Sequence, residues 1–308
     1  MFPSPKTLAM IVRSKPNLIA ILFSLKGSIA KRIALRCLLV TVLASVIVLV
    51  ETWHPAYFSK VNATPFTLLG LSLSIFMSFR NNACYDRWWE GRKQLGQLII
   101  DVRSLIRESQ VLGDGPQRTA LLRELCGFAH GLIARLRLED ERQAIEPWQQ
   151  ETPTAGHPNA TDQLLQRIGA RCSGFAAQGL ISEYRYTVFS ALLLSLSQVQ
   201  ASCERIKHTP LPFPYNLLLH RTIYLFCILL PFAMAEPLGW LTPVFTAIVS
   251  YTFLGLDEIG DDLEDPFGFD ENDLPCNAIL RTVEREVLAS LGYRELPLAL
   301  EPVDYVLT

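Results

Sequence analysis

The sequence predicts an all-α membrane protein with a large helical region outside the bilayer. Three observations lead there. Four apolar runs stand apart along the chain, and the stretches between them turn amphipathic at helical spacing. Charged residues are scarce: they make up 19% of the 308 residues, where soluble domains carry about a quarter. Half of the residues are hydrophobic and the formal net charge is −2. A nucleic-acid partner, which needs a basic surface, is therefore not expected. The seven cysteines are scattered and form no CxxC, so neither a disulfide framework nor a zinc site is predicted, and a reducing, cytoplasmic surrounding fits them.

Residues 1–30 combine Lys6, Arg13, Lys15 and Lys26 with a short apolar patch at Leu18–Leu25. No small-residue cleavage site follows, so the segment reads as amphipathic and cytoplasmic rather than as a signal peptide. The first span is placed at 33–50, interrupted only by Arg36, Thr41 and Ser45. The loop after it carries Lys60 alone. Lys31 and Arg32 precede the span, and Arg80, Arg87, Arg92 and Lys93 follow the next apolar run. By the positive-inside rule the loop is external and both flanks are cytoplasmic.

The second span, 65–79, is uncharged and then meets Arg80, Asp86, Arg87, Glu90 and Arg92 together. At roughly 22 Å of helix it is short for a hydrocarbon core of about 30 Å, which suits an inner position shielded by other helices. Gly70, Ser74 and Ser78 recur every fourth residue on one face, the pattern that lets helix backbones approach closely in a membrane. Beside them run Leu71, Ile75 and Phe79. If copies of the chain pack through the small stripe, the apolar stripe faces a common axis and makes a narrow dry constriction. The alternative is that both stripes pack on the chain's own helices. Further down the same face come Asn82 and Asp86; the alternative for Asp86 is an ion pair with Arg87 or another nearby cation.

From Glu90 to about Leu138, Leu95, Leu98, Ile99, Val102, Leu105 and Ile106 recur at helical spacing. The stretch from Leu138 to Gln163, with its prolines and EDER, reads as an exposed loop. Helix resumes at Leu164 and again over Tyr184–Val199. Pro210, Pro212 and Pro214 set an extended lead-in to a third span at 217–232, with His220 placed as a helix-start cap. AEPLG forms a tight turn, and a fourth span at 240–256 begins with the interfacial Trp240. An acidic run from Asp257 to Asp273 follows, then an amphipathic helix over Ala278–Leu291. Four spans leave both termini inside, with 80–216 and 257–308 as the cytoplasmic region.

Two motifs, FRNNACYDRWWEGR and, far downstream, IGDDLEDPFGFDENDLP, stand in an order that resembles the bestrophin family of ion channels in its bacterial branch. The resemblance covers most of the chain. It implies a homopentameric barrel around a central pore in the bacterial inner membrane, conducting ions passively. It also implies that Leu71, Ile75 and Phe79 fill the three pore-constricting positions of the neck, where animal members have Ile, Phe and Phe. Phenylalanine edges favour anions, and Ile75 removes part of that help. Five copies of Asp86 would make a cation-favouring ring, and the bacterial branch is the cation-conducting one. The expectation is therefore a channel for monovalent cations such as Na⁺, with a chloride channel of the same fold as the alternative. The family's cytoplasmic aperture falls within Tyr184–Leu192, with Thr187 and Val188 as candidates.

The animal calcium clasp has its counterpart at Asp270, Glu271 and Asp273, but Phe269 precedes these acids and Asn272 breaks them. No calcium switch, other metal site or cofactor is expected. No HExxH, P-loop, GxGxxG or GxSxG is present, so no enzyme is expected either. From other classes, a non-conducting membrane-anchored scaffold or sensor remains the competing reading. A transporter is disfavoured because no internal repeat is visible.

Overall fold

The computed structural model describes residues 10, 28–55, 57–58, 61–149, 157–303, 305 and 307. Apart from Met10 and residues 28–30, the expected N-terminal amphipathic segment lies outside the described residues, as does Lys60. The described chain is almost wholly helical. In order, the helices are α1 (Ala30–Trp53), α2 (Thr64–Glu108), α3 (Pro116–Leu136), α4 (Glu141–Ile145), α5 (Ala160–Ala177), α6 (Glu183–His208), α7 (Phe213–Leu238), α8 (Thr242–Glu264) and α9 (Cys276–Ser290). They group into two compact units, one of Ser14–Trp88 with Pro210–Glu264, the other of Met1–Arg13, Trp89–Thr209 and Asp265–Thr308.

In the first unit α1, α7 and α8 pack pairwise on one another. Ile33 and Val40 of α1, Leu73 and Met77 of α2, Ile223, Phe226 and Cys227 of α7 and Leu254 of α8 form one buried cluster. Gly239, at φ 51°, ends α7 and turns the chain into α8, a positive φ that suits glycine. Two stretches, Ala30–Trp53 and Phe213–Glu264, are long and apolar enough to cross a membrane. The second contains the whole α7–turn–α8 hairpin.

In the second unit α3 is the central helix, packing against α4, α5, α6 and α9. Leu121, Leu122, Leu125, Phe128, Ala129 and Leu132 of α3 are almost wholly buried. Asn159 caps α5 by accepting from the Asp162 N–H at 2.9 Å, and Ser182 caps α6 by accepting from Arg185.

Several boundaries differ from the sequence expectations. The helix opening at Thr64 does not stop near Phe79 but runs unbroken to Glu108; the change from apolar to charged residues alters its surroundings, not its backbone. The region expected as loop holds α4, and α5 begins at Ala160. Asp140 makes this possible by accepting from the N–H groups of Arg142 and Gln143. Pro214 does not delay α7, because proline in a first helical turn lacks only a donor that has no helical partner anyway. The segment from Asp257 to Glu264 is helical, the last two turns of α8.

Candidate functional site

Within the first unit α2 has two unlike sides. Leu73, Met77, Arg80 and Cys84, at helical spacing, are buried. On the other side Leu71, Ile75 and Phe79 are 61%, 48% and 62% exposed, and Asn82 and Asp86 continue that exposed line. The apolar stripe is thus not part of this chain's own core. The small stripe divides: a Cβ on Gly70 would sit 3.1 Å from the ring of Phe226, whereas Ser74 and Ser78 are exposed. Ser74 donates its hydroxyl to the Gly70 carbonyl at 2.8 Å.

Beneath this helix lies a polar centre that the sequence reading did not assemble. Arg80 is wholly buried. Its Nη1 donates to Asp257 Oδ1 at 2.8 Å, Nη2 to Asp261, and Nε to Asn216 Oδ1 at 3.1 Å. His220 Nδ1 lies 2.8 Å from Asp257 Oδ2, so His220 serves as a carboxylate partner and not as a helix cap. Glu264 accepts from the Leu211 N–H and from Asn216 Nδ2, and its carbonyl accepts from Arg87 Nε at 3.3 Å. Arg87 therefore faces Glu264, and Asp86, its neighbour, has no ion pair among the described residues.

Helical geometry sorts the acidic run into two faces. Asp257, Asp261 and Glu264 point to the centre around Arg80, Asn216 and His220. Glu258 and Asp262 point to α1, where Arg36 Nη1 meets Glu258 Oε2 at 3.0 Å and Arg32 bonds Asp262. Gly260 sits between the acids because a Cβ there would come within 2.7 Å of Asn81 Oδ1 and 2.9 Å of Arg80 Nη1. A lone cation closing an apolar run, and carboxylates four apart around a glycine, were the available signals for this centre.

In the second unit, Thr187 and Val188 are exposed near the start of α6, while their neighbour Phe189 is fully buried. Thr187 donates its hydroxyl to the Tyr184 carbonyl at 2.6 Å. Of the downstream acids, Asp273 is 3% exposed and accepts from the Asp270 N–H at 2.7 Å, which closes the turn. A Cβ on Gly268 would lie 2.6 Å from the same carboxylate. Asp270 is exposed and Glu271 half-buried. No group of three or more His, Cys, Asp or Glu side chains that could hold a metal occurs among the described residues.

The fold and the amphipathic α2 define a class: a helical membrane protein that presents an apolar helix face away from its own core. The family model described as bacterial/fungal bestrophin protein matches residues 10–289. The chain belongs to that family. It is 40% identical over 301 residues to the voltage-dependent anion channel-forming protein mll4386 of Mesorhizobium japonicum, covering 96% of each chain. It is 36% identical over 299 residues to the voltage-dependent anion channel-forming protein YneE of Escherichia coli K12, covering 95% of this chain and 98% of that one. Among solved structures it resembles the bacterial bestrophin homologue of Klebsiella pneumoniae, with TM-score 0.80, 33% identity, and coverage of 85% of this chain and 100% of the other. The family membership and the names of these relatives point to a channel rather than an enzyme.

Proposed function

We propose that the chain is one subunit of a passive ion channel in the bacterial inner membrane, with five copies arranged around a common axis and α2 innermost. One observation supports this reading above the rest. Leu71, Ile75 and Phe79 stay exposed on the very helix whose opposite side, Leu73, Met77 and Arg80, is locked into the chain's own core. Five such stripes meeting at an axis form a dry neck. Asn82 and Asp86 line the path below it, Ser74 and Ser78 serve contacts between copies, and Thr187 or Val188 forms the cytoplasmic aperture. The spans are the apolar parts of α1, α2, α7 and α8. The remaining helices are cytoplasmic, as are both termini.

For selectivity the relatives' names favour anions over the cations expected from Asp86, and the positive ring edges of Phe79 agree with them. The proposed permeant ion is therefore a small monovalent anion such as chloride. The exposed Asp86 carboxylate supports the cation alternative.

Reconstituted protein in liposomes decides between them. Chloride and sodium flux are compared for the native chain, Ile75→Ala and Asp86→Asn. The expected outcome is chloride flux that rises in Ile75→Ala, and a higher chloride-to-sodium ratio in Asp86→Asn. Sodium preference in the native chain would establish the cation alternative. No flux from any of the three, all folded, would leave a scaffold.

A further inference from the structure

We infer that the face of α7 turned away from the chain's own core binds an anionic phospholipid, with Arg221 on the phosphodiester headgroup and Leu225 and Ile228 along an acyl chain. The inference rests on the proposed spans. Arg221 is exposed, and so are Leu218, Leu225 and Ile228, whose helical spacing puts them on its face. The residues beside it turn inward: His220 bonds Asp257, while Leu219 and Ile223 are buried. Arg221 makes no hydrogen bond or ion pair among the described residues. It stands about one helical turn inside the span that begins at 217. A guanidinium at that depth reaches back to the headgroup level along its own alkyl stem, and there it needs an anion.

Arg36 shows the contrast. It too lies about one turn inside its span, and Glu258 of α8 meets its Nη1 at 3.0 Å. Arg221 has no such carboxylate, because the acids of α8 are committed elsewhere: Asp257 and Asp261 to Arg80, Glu258 and Asp262 to α1. The pairs with α1 are also turned so that the cation is outermost. The side chains of Arg32 and Arg36 are 38% and 43% exposed, those of Asp262 and Glu258 only 6% and 12%. Lys31 is exposed at the same end, and Asp261, bonded to Arg80, is the half-exposed acid. This end of the unit thus shows its cations outward and buries most of its acids, although the whole chain carries −2. That polarity selects a lipid of net negative charge over a zwitterionic one, whose own cation would meet the same surface. Leu225 and Ile228, deeper in the span, favour a lipid over free phosphate. A carboxylate of a neighbouring copy is the competing partner.

The full chain in neutral detergent is titrated with phosphatidylglycerol, phosphatidylcholine of the same acyl chains, or inorganic phosphate, and bound molecules are counted by native mass spectrometry. Two variants accompany it. Arg221→Gln removes the charge, and Leu225→Glu puts a carboxylate four residues from Arg221, a partner within the chain itself. The expected result is saturable phosphatidylglycerol binding, tighter than that of phosphatidylcholine, which both variants weaken by about tenfold or more, the loss of one charge-assisted contact. Should Arg221→Gln fail to fold, Leu225→Glu gives the answer alone. Equal binding of the two lipids, phosphatidylglycerol binding unchanged in the variants, or saturation by inorganic phosphate in its place would each overturn the assignment. So would an Arg221→Gln chain that loses its oligomeric mass while its lipid binding is unchanged, the mark of a neighbouring carboxylate. Reconstitution of the native chain into phosphatidylcholine liposomes tests the spans separately. A chain that inserts without preferring phosphatidylglycerol sinks the site alone, and a chain that does not insert sinks the spans and the site with them.

Discussion

Arg80 Nη1 lies 2.8 Å from Asp257 Oδ1, and the arginine is entirely buried. With Asp261, Asn216 and His220 the pair ties α2 to α7 and α8 where the apolar part of α2 ends. Breaking a buried pair from one side strands the other charge, at a cost of about 3–5 kcal/mol. Arg80→Met is therefore expected to destabilise the chain by that order, and thermal denaturation in detergent checks it. The doubly changed Arg80→Met/Asp257→Leu chain should recover part of the loss. A single variant as stable as the native chain would show that the centre contributes little.

The two sides of α2 make a contrast that separates structural from pore residues. Leu73 is 2% exposed and Ile75 48%. Leu73→Ala is expected to cost about 2–5 kcal/mol, as buried leucine truncations do. Ile75→Ala should leave the isolated subunit's packing nearly untouched and change ion flux instead. Paired melting and flux measurements on the two variants test this, and equal loss of stability in both would contradict the placement of Ile75.

Acid stability should depend on Glu284. Burial pushes its carboxyl up, but the hydrogen bond and charge of His130, with the charge and hydrogen bond of Arg281, outweigh burial and hold it below its ordinary value of 4.5. A carboxyl lowered by folding stabilises the folded state above its unfolded value, and that contribution disappears as the pH falls through the folded value. Melting temperatures taken from pH 6 down to pH 3, roughly spanning that window, should fall less steeply for Glu284→Gln than for the native chain.

The thiols of the second unit should be inert in the folded protein. Burial pushes Cys276 and Cys172 each up to about 11, and Cys126 and Cys203 higher still. Raised thiols carry almost no thiolate near neutral pH. Maleimide at pH 7, read by mass spectrometry, should leave these four unmodified in native protein and label them once it is unfolded. Rapid labelling of any of them in the native state would contradict their burial.

Much of this was legible in the residues themselves. The helical class followed from apolar runs and from periodicity, because a helix repeats its environment every three or four residues whatever it packs against. The apolar line Leu71, Ile75, Phe79 was visible as a stripe for the same reason, and the two motifs identified the bestrophin family. The length of α2 was not legible, since the charges after Phe79 mark a change of surroundings and not a chain break. Nor was Pro214 a barrier, since its position within the first turn of α7 decides its effect.

Local sequence thus determined the elements and their faces, because amphipathic patterning is a property of one helix at a time. Tertiary structure decided the partners. Arg80 is separated from Asp257 by 177 residues and Arg137 from Asn277 by 140, and no local pattern states which distant charge or amide a buried guanidinium will meet. That choice is made by desolvation: once packing takes an arginine out of water, it is stable only where the folded chain brings acceptors to it.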